Sequence, residues 1–189
     1  MKAALYSLVF AVTMLMGERN LLKNGDFEKF VGGEPQNWET NNIPSMLVVV
    51  SSSTVSSSGK TSVRCEVKNL SGTMMAGLVR QKNIPVVAGD LQLSGAYLLK
   101  SVGKDAGFVS IDVKSKSEST IATCEHYLTR SSSEFVPFTL NTRLPSGART
   151  IDLVLTLIAP EGESLHEGSY IHFDALELSV RPASTVQPQ

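Results

Sequence analysis

Three histidines, His126, His166 and His172, fall in no metal-ligand spacing, and neither a Gly-x-Ser-x-Gly elbow nor a phosphate-cradling glycine loop occurs. Glu125-His126 is a dyad by adjacency only, because neighbours on a strand point to opposite faces and cannot act on one atom. Carboxylate chemistry remains. Hydrolysis of a glycosidic bond needs two facing carboxyl groups roughly 5 to 9.5 Å apart. Asp112 and Glu125, on neighbouring predicted strands, are the pair that could reach that distance. A flat sheet face lacks the deep cleft such a reaction uses, so the residues point away from an enzyme.

The elements that would hold these residues are short and β-like. Residues 46–50, 61–67, 76–87, 91–99, 107–113, 121–128, 135–140, 149–158 and 169–180 read as strands, with residues 51–60 a polar, serine-rich loop. Turn chemistry such as Ala88-Gly89-Asp90, Pro145-Ser146-Gly147 and Pro160-Glu161-Gly162 separates them. Ile151, Leu153, Leu155 and Leu157 share one strand face and are expected in the core, with Asp152, Val154 and Thr156 opposite. Likewise Val109, Ile111 and Val113 oppose Phe108, Ser110 and Asp112. Gly95 suggests a bulge and leaves the direction of Tyr97 open. No segment shows a persuasive amphipathic helix. Roughly ten evenly spaced short strands predict an all-β fold, a jelly-roll β-sandwich of two antiparallel sheets.

A chain of 189 residues suits one domain and can bury about two-thirds of its unfolded surface without a metal or disulfide. Seventeen Lys and Arg against eighteen Asp and Glu give a formal net charge of -1, which removes the global electrostatic case for nucleic acid. Met1-Lys2 followed by an apolar run to Met16 has the length of a signal-peptide core and is too short to span a bilayer comfortably, a buried N-terminal strand or an uncleaved anchor being the other reading. The expected organisation is therefore a signal peptide over residues 1–17, a folded domain over 18–180 and a disordered Pro/Ser/Thr/Gln-rich tail over 181–189. A secreted or periplasmic location follows, with no membrane association beyond the leader. In an oxidising compartment Cys65 and Cys124 could pair or remain buried and free, and their spacing does not decide which. The sequon Asn69-Leu70-Ser71 matters only where the host glycosylates.

The segment Asn20-Leu21-Leu22-Lys23-Asn24-Gly25-Asp26-Phe27-Glu28 is followed by Pro35-Gln36-Asn37-Trp38, then Gly59-Lys60-Thr61-Ser62-Val63, and near the end by Tyr170-Ile171-His172-Phe173-Asp174-Ala175-Leu176-Glu177-Leu178. This order resembles the carbohydrate-binding modules of families four, nine and twenty-two, which have a galactose-binding-like jelly roll. The resemblance extends from Asn20 to Val180 and implies that the opening and closing strands lie side by side, with a structural Ca²⁺ where they meet. Carried over by position, Glu28 and Asp174 would supply side-chain oxygens, and Gly25 and Lys60 carbonyls. Asp174 interrupts an otherwise apolar strand, and a buried carboxylate needs a partner or a cation. The other reading is that Asp174 caps a turn or pairs with Lys23 or Lys60, with Glu28 solvated.

The same resemblance implies a sugar-binding face on the middle strands. Tyr97, Tyr127 and Phe108 are the candidate stacking rings, and Arg80, Gln81, Asp112 and Glu125 the candidate partners of sugar hydroxyls. Trp38, the one tryptophan, sits where these modules carry a core-plugging residue. An aromatic content of 6% is low for a strong polysaccharide binder. The expected function is non-catalytic binding of a poly- or oligosaccharide by a monomeric domain. The alternatives are an extracellular or envelope interaction domain that binds no sugar, and an accessory domain detached from a glycoside hydrolase.

Overall fold

A computed structural model describes residues 19–182; the expected signal peptide and the tail beyond Pro182 lie outside the described residues. The strands are β1 (Phe30–Val31), β2 (Glu34–Pro35), β3 (Glu39–Thr40), β4 (Val50–Ser53), β5 (Ser62–Leu70), β6 (Thr73–Ala76), β7 (Leu78–Pro85), β8 (Gly89–Lys100), β9 (Ala106–Lys114), β10 (Thr120–Leu128), β11 (Val136–Leu144), β12 (Thr150–Ile158) and β13 (Tyr170–Pro182). One antiparallel sheet has five strands in the order β10-β9-β12-β7-β3. The other has the path β11-β8-β13-β5-β4, with β6 paired to β5. The chain crosses from one of these sheets to the other between β3 and β4, β6 and β7, β7 and β8, β8 and β9, β10 and β11, β11 and β12, and β12 and β13. That crossing makes a jelly-roll sandwich rather than two independent sheets.

Alternation forces the sandwich. Val109, Ile111 and Val113 of β9 and Ile151, Leu153, Leu155 and Leu157 of β12 are buried, meeting Val63, Cys65 and Val67 of β5 and Ile171 and Phe173 of β13 in one core. Each such side chain contributes roughly 1.5–3 kcal/mol on burial, so a one-residue register slip, which would turn a whole strand face outward, is strongly disfavoured. The expected inward sets on β9 and β12 are those observed.

Four expectations need correction. Of residues 46–50, only Val50 belongs to a strand. Asn42 Oδ1 accepts the backbone N–H groups of both Val49 and Val50 at 2.8 Å, which satisfies this backbone outside a ladder, and Met46 is left 69% exposed. Conversely Ser51, Ser52 and Ser53, expected in a loop, pair with Arg64, Val63 and Ser62. The expected strand over 76–87 divides into β6 and β7 at Gly77, where a Cβ would collide with the Val49 carbonyl. At the other end β13 runs past Val180, because Arg181 and Pro182 face Asp90 and Gly89 of β8; the expected tail therefore begins two residues too early. Cys65 and Cys124 are free and lie in opposite sheets. Burial pushes the Cys65 thiol up to about 12, so it stays protonated.

Candidate functional site

The outward side of the five-stranded sheet is built from cross-strand rows. Tyr127, Phe108, Thr156 and Leu78 form one; Glu125, Ser110, Val154, Arg80 and Glu39 the next; and Thr123, Asp112 and Asp152 a third. Tyr127 is 53% exposed, and its ring meets that of Phe108 edge-on, centroids 5.2 Å apart. Its hydroxyl lies 3.4 Å from Glu125 Oε2. Thr123 Oγ1 donates to Asp112 Oδ1 at 2.8 Å. Lys114 Nζ donates to Asp152 Oδ2 at 2.6 Å, and Asn83 N–H to Asp152 Oδ1 at 2.9 Å. Burial pushes the Asp152 carboxyl up, but the Lys114 and Asn83 hydrogen bonds outweigh it and hold its pKa below the ordinary value. At the far edge Arg80 and Lys82 both grip Glu39 Oε2, at 2.8 and 2.9 Å, and lower the Glu39 pKa.

Five of the seven expected ligand candidates, Arg80, Phe108, Asp112, Glu125 and Tyr127, thus share one face, which pairs two adjoining rings with acceptors, hydroxyls and a guanidinium. Tyr97 is the correction. It lies on β8 of the other sheet, 4% exposed, with its ring 6.1 Å from that of Phe138. The bulge lies in the partner strand rather than at Gly95, as β13 goes from Asp174, opposite Ala96, to Glu177, opposite Ser94. Alternation on β8 is therefore unbroken, and Tyr97 points inward with Leu91, Leu93 and Leu99. Gln81 is a clamp rather than a ligand, because its amide accepts Lys23 N–H and donates to the Lys23 and Asn37 carbonyls. His126 turns away from Glu125 and stacks with Phe138, centroids 6.2 Å apart, as strand geometry requires.

The opening segment runs beside β13, as the resemblance implied: Leu21 N–H donates to Leu178 O, and Asn20 bonds Leu176 O and Leu178 N–H. Ala175, at φ 51°, forms the bulge, and its N–H donates to Asp174 Oδ1. Asp174 Oδ2 accepts Ser57 and Ser58 N–H at 2.6 and 2.9 Å. Glu28 Oε1 accepts Lys60 and Thr61 N–H at 2.7 and 2.9 Å. Two carboxylates therefore hold one loop, residues 57–61. The Thr61 and Lys60 bonds lower the Glu28 pKa, whereas burial, with the Glu28 charge adding to it, raises that of Asp174. Among the described residues neither carboxylate forms an ion pair, and Glu28 Oε2 makes no hydrogen bond. A fully buried anion beside a second one suits a hard divalent cation. The carbonyls fit less well. Gly25 O already accepts Leu176 N–H, Lys60 serves Glu28 through its N–H, and among the described residues no three His, Cys, Asp or Glu side chains cluster.

His172 faces outward on the six-stranded sheet yet is 3% exposed, with Nδ1 3.1 Å from Ser62 Oγ. Burial, and then the neighbouring Arg64 cation, push its pKa down to about 4. The unfolded chain takes up this proton near the ordinary value of 6.5 and the folded chain only near 4. The neutral imidazole therefore contributes stability that is fully present above 6.5 and lost as pH falls towards 4. Urea unfolding is expected to show a loss on the order of 2–3 kcal/mol across that window. His172→Gln should flatten the slope, and an equally steep decline in the variant would assign the loss elsewhere.

No family model matches the sequence, and no curated protein matches it. Solved structures do. TmCBM61, solved in complex with β-1,4-galactotriose, is 17% identical at a TM-score of 0.55, with 86% of this chain and 99% of that one covered. The chain shares its jelly-roll fold with solved carbohydrate-binding modules. A CBM22-1 xylan-binding domain from Paenibacillus barcinonensis is among the same neighbours. The same jelly roll also matches a cyclase from Fischerella sp. TAU, at 13% identity and a TM-score of 0.60, covering 87% of this chain and 97% of that one. It matches the enzymatically active domain of bacteriophage CBA120 tailspike protein 4 at 15% identity and 0.65, covering 86% of this chain but 21% of the tailspike chain. At such identities the likeness speaks for the fold.

Of the residues that sequence reasoning missed on this face, Thr123 and Asp152 are brought to Asp112 by register across β10, β9 and β12, and Lys114 lies two residues further along β9. A period-two pattern tells which face a residue takes, and put Asp152 outward, but not which residue stands opposite, so the grouping itself was not legible.

Proposed function

We propose that the chain is an exported, non-catalytic glycan-binding domain that holds a poly- or oligosaccharide on the outer face of the five-stranded sheet. The observation that carries the reading is the exposed Tyr127 ring beside Phe108, flanked by Glu125, Asp112 and Thr123. A pyranose has an apolar face that packs on such a ring and equatorial hydroxyls that reach the surrounding acceptors. Neighbours of the same fold, crystallised with galactotriose or described as xylan-binding, support it. A structural Ca²⁺ between Glu28 and Asp174 belongs to the proposal, as does secretion through the apolar leader over residues 3–16.

One observation favours the other reading, an extracellular interaction domain that binds no sugar. Arg80 and Lys114 are already satisfied by Glu39 and Asp152, so part of the face is self-complementary. Tyr127→Ala separates the two readings. It removes the exposed ring without touching the core and should weaken retention on a bound polysaccharide roughly tenfold, about 1.4 kcal/mol. Affinity gel electrophoresis reads this directly, and undiminished retention would move the ligand off this face.

A further inference from the structure

The outer face of the opposite, six-stranded sheet carries a separate recess of about 460 Å³, lined by Arg64, Lys100, Tyr170, His172 and the serines Ser132 and Ser133 among others. Its volume falls in the range of small-molecule sites, roughly 300–1,000 Å³. Three neighbouring strands assemble it: Tyr170 stands opposite both Lys100 of β8 and Glu66 of β5, and His172 opposite Arg64. The Arg64 guanidinium lies 3.9 Å from the centroid of the Tyr170 ring, and Lys100 Nζ 5.8 Å from the same centroid.

Two cations over one ring are poorly compensated. Glu66 is shared between Arg64, at 3.2 Å, and Lys68, at 3.7 Å, and among the described residues Lys100 has no carboxylate partner. Arg64 Nε is buried without a hydrogen bond, an arrangement that costs stability and so asks for another explanation. The recess also holds neutral groups. Ser62 Oγ donates its hydrogen to Val55 O at 2.6 Å, so His172 Nδ1 donates to Ser62 and Nε2 is left as an acceptor. The serine hydroxyls can give or take a hydrogen. The full set is cationic donors, amphoteric hydroxyls and a neutral acceptor. Sulfate presents only acceptors and leaves the His172 acceptor unanswered, and hydrogen phosphate offers a P–OH donor but no set of hydroxyls for the serines. A ligand carrying both a carboxylate and hydroxyl groups answers every group, and a planar carboxylate also suits the guanidinium edge.

We propose that this recess is a second binding site, selective for a carboxylated sugar, a hexuronate residue of an acidic glycan. It lies on the opposite sheet and goes beyond the function proposed for the Tyr127 face, so either site stands if the other fails.

The test pairs Lys100→Ala with Tyr127→Ala in affinity gels containing polygalacturonate, methyl-esterified polygalacturonate, dextran sulfate or neutral β-1,4-galactan. Lys100 is exposed at the end of β8, and its loss leaves the core intact. The wild type should be retained by polygalacturonate and at least tenfold less by its methyl ester. Lys100→Ala should lose at least tenfold in affinity for polygalacturonate, while Tyr127→Ala keeps it and loses only neutral-glycan binding. Four results would overturn the proposal: no retention by polygalacturonate, equal retention by the ester, wild-type affinity in Lys100→Ala, or dextran sulfate bound as tightly as polygalacturonate and equally sensitive to Lys100→Ala. The last would show that the recess reads charge alone.

Discussion

Trp38→Ala is expected to cost about 3–5 kcal/mol of stability, the range for truncating a buried large aromatic. Trp38 is 7% exposed, and its ring centroid lies 5.1 Å from that of Phe27, itself wholly buried. Its Nε1–H is shared between the Lys23 and Asn24 carbonyls at 3.1 and 3.2 Å, which pins the opening segment against the core. The substitution removes the packing and the indole bond, leaving the Lys23 and Asn24 carbonyls with only their bonds from Gln81 Nε2 and Phe27 N–H. Against a total of roughly 5–15 kcal/mol for a domain, that is a large fraction. The check is the denaturant midpoint of the variant together with the glycan affinity of its folded fraction, which should match that of the wild type. A stable Trp38→Ala protein that had lost its ligand would make Trp38 a stacking platform and contradict the structural role given to it.

The second large effect concerns the carboxylate pair. EGTA is expected to lower the melting temperature relative to excess calcium, and Glu28→Ala to abolish that difference. The ion would relieve a specific conflict, since Asp174 is fully buried and its carboxyl is raised by burial and by the Glu28 charge. At a calcium concentration of about 100 times Kd the stabilisation is about 2.7 kcal/mol, roughly 5–10 °C for a domain of this size. Asp174→Ala should be more damaging than chelation, because it also deprives the Ser57, Ser58 and Ala175 N–H groups of their acceptor. Superimposable melts in EGTA and in calcium would remove the ion from the account and leave the two carboxylates as loop clamps.

Where residues alternate without interruption, the fold was legible in the sequence. Leu153 and Val109 could be assigned to the core from their neighbours, and Asp174 stood out as a carboxylate in an apolar run. What defeated the reading was local hydrogen bonding and register. Asn42 replaces ladder partners for Val49 and Val50, which turned an apolar run into a loop. The β13 bulge lies opposite Gly95, so the glycine that hinted at a bulge marks its partner, and Tyr97 stayed in the core. Arg80, Asp112, Glu125 and Tyr127 were singled out through the resemblance, which named the middle strands; alternation alone did not orient them, and the same set included the inward Tyr97 and Gln81. The recess formed by Arg64, Lys100 and Tyr170 needed the pairing of β5, β13 and β8, which a sequence does not carry at long range.

Binding of a glycan to the Tyr127 face is the central claim, and titration of the isotope-labelled domain with β-linked gluco-, xylo-, manno- and galacto-oligosaccharides tests it most directly. At least one ligand should shift the amide signals of β9, β10 and β12 around Phe108, Ser110, Glu125, Tyr127 and Val154, saturably and with little change elsewhere. Silence across the series, or shifts confined to other surfaces, would contradict it.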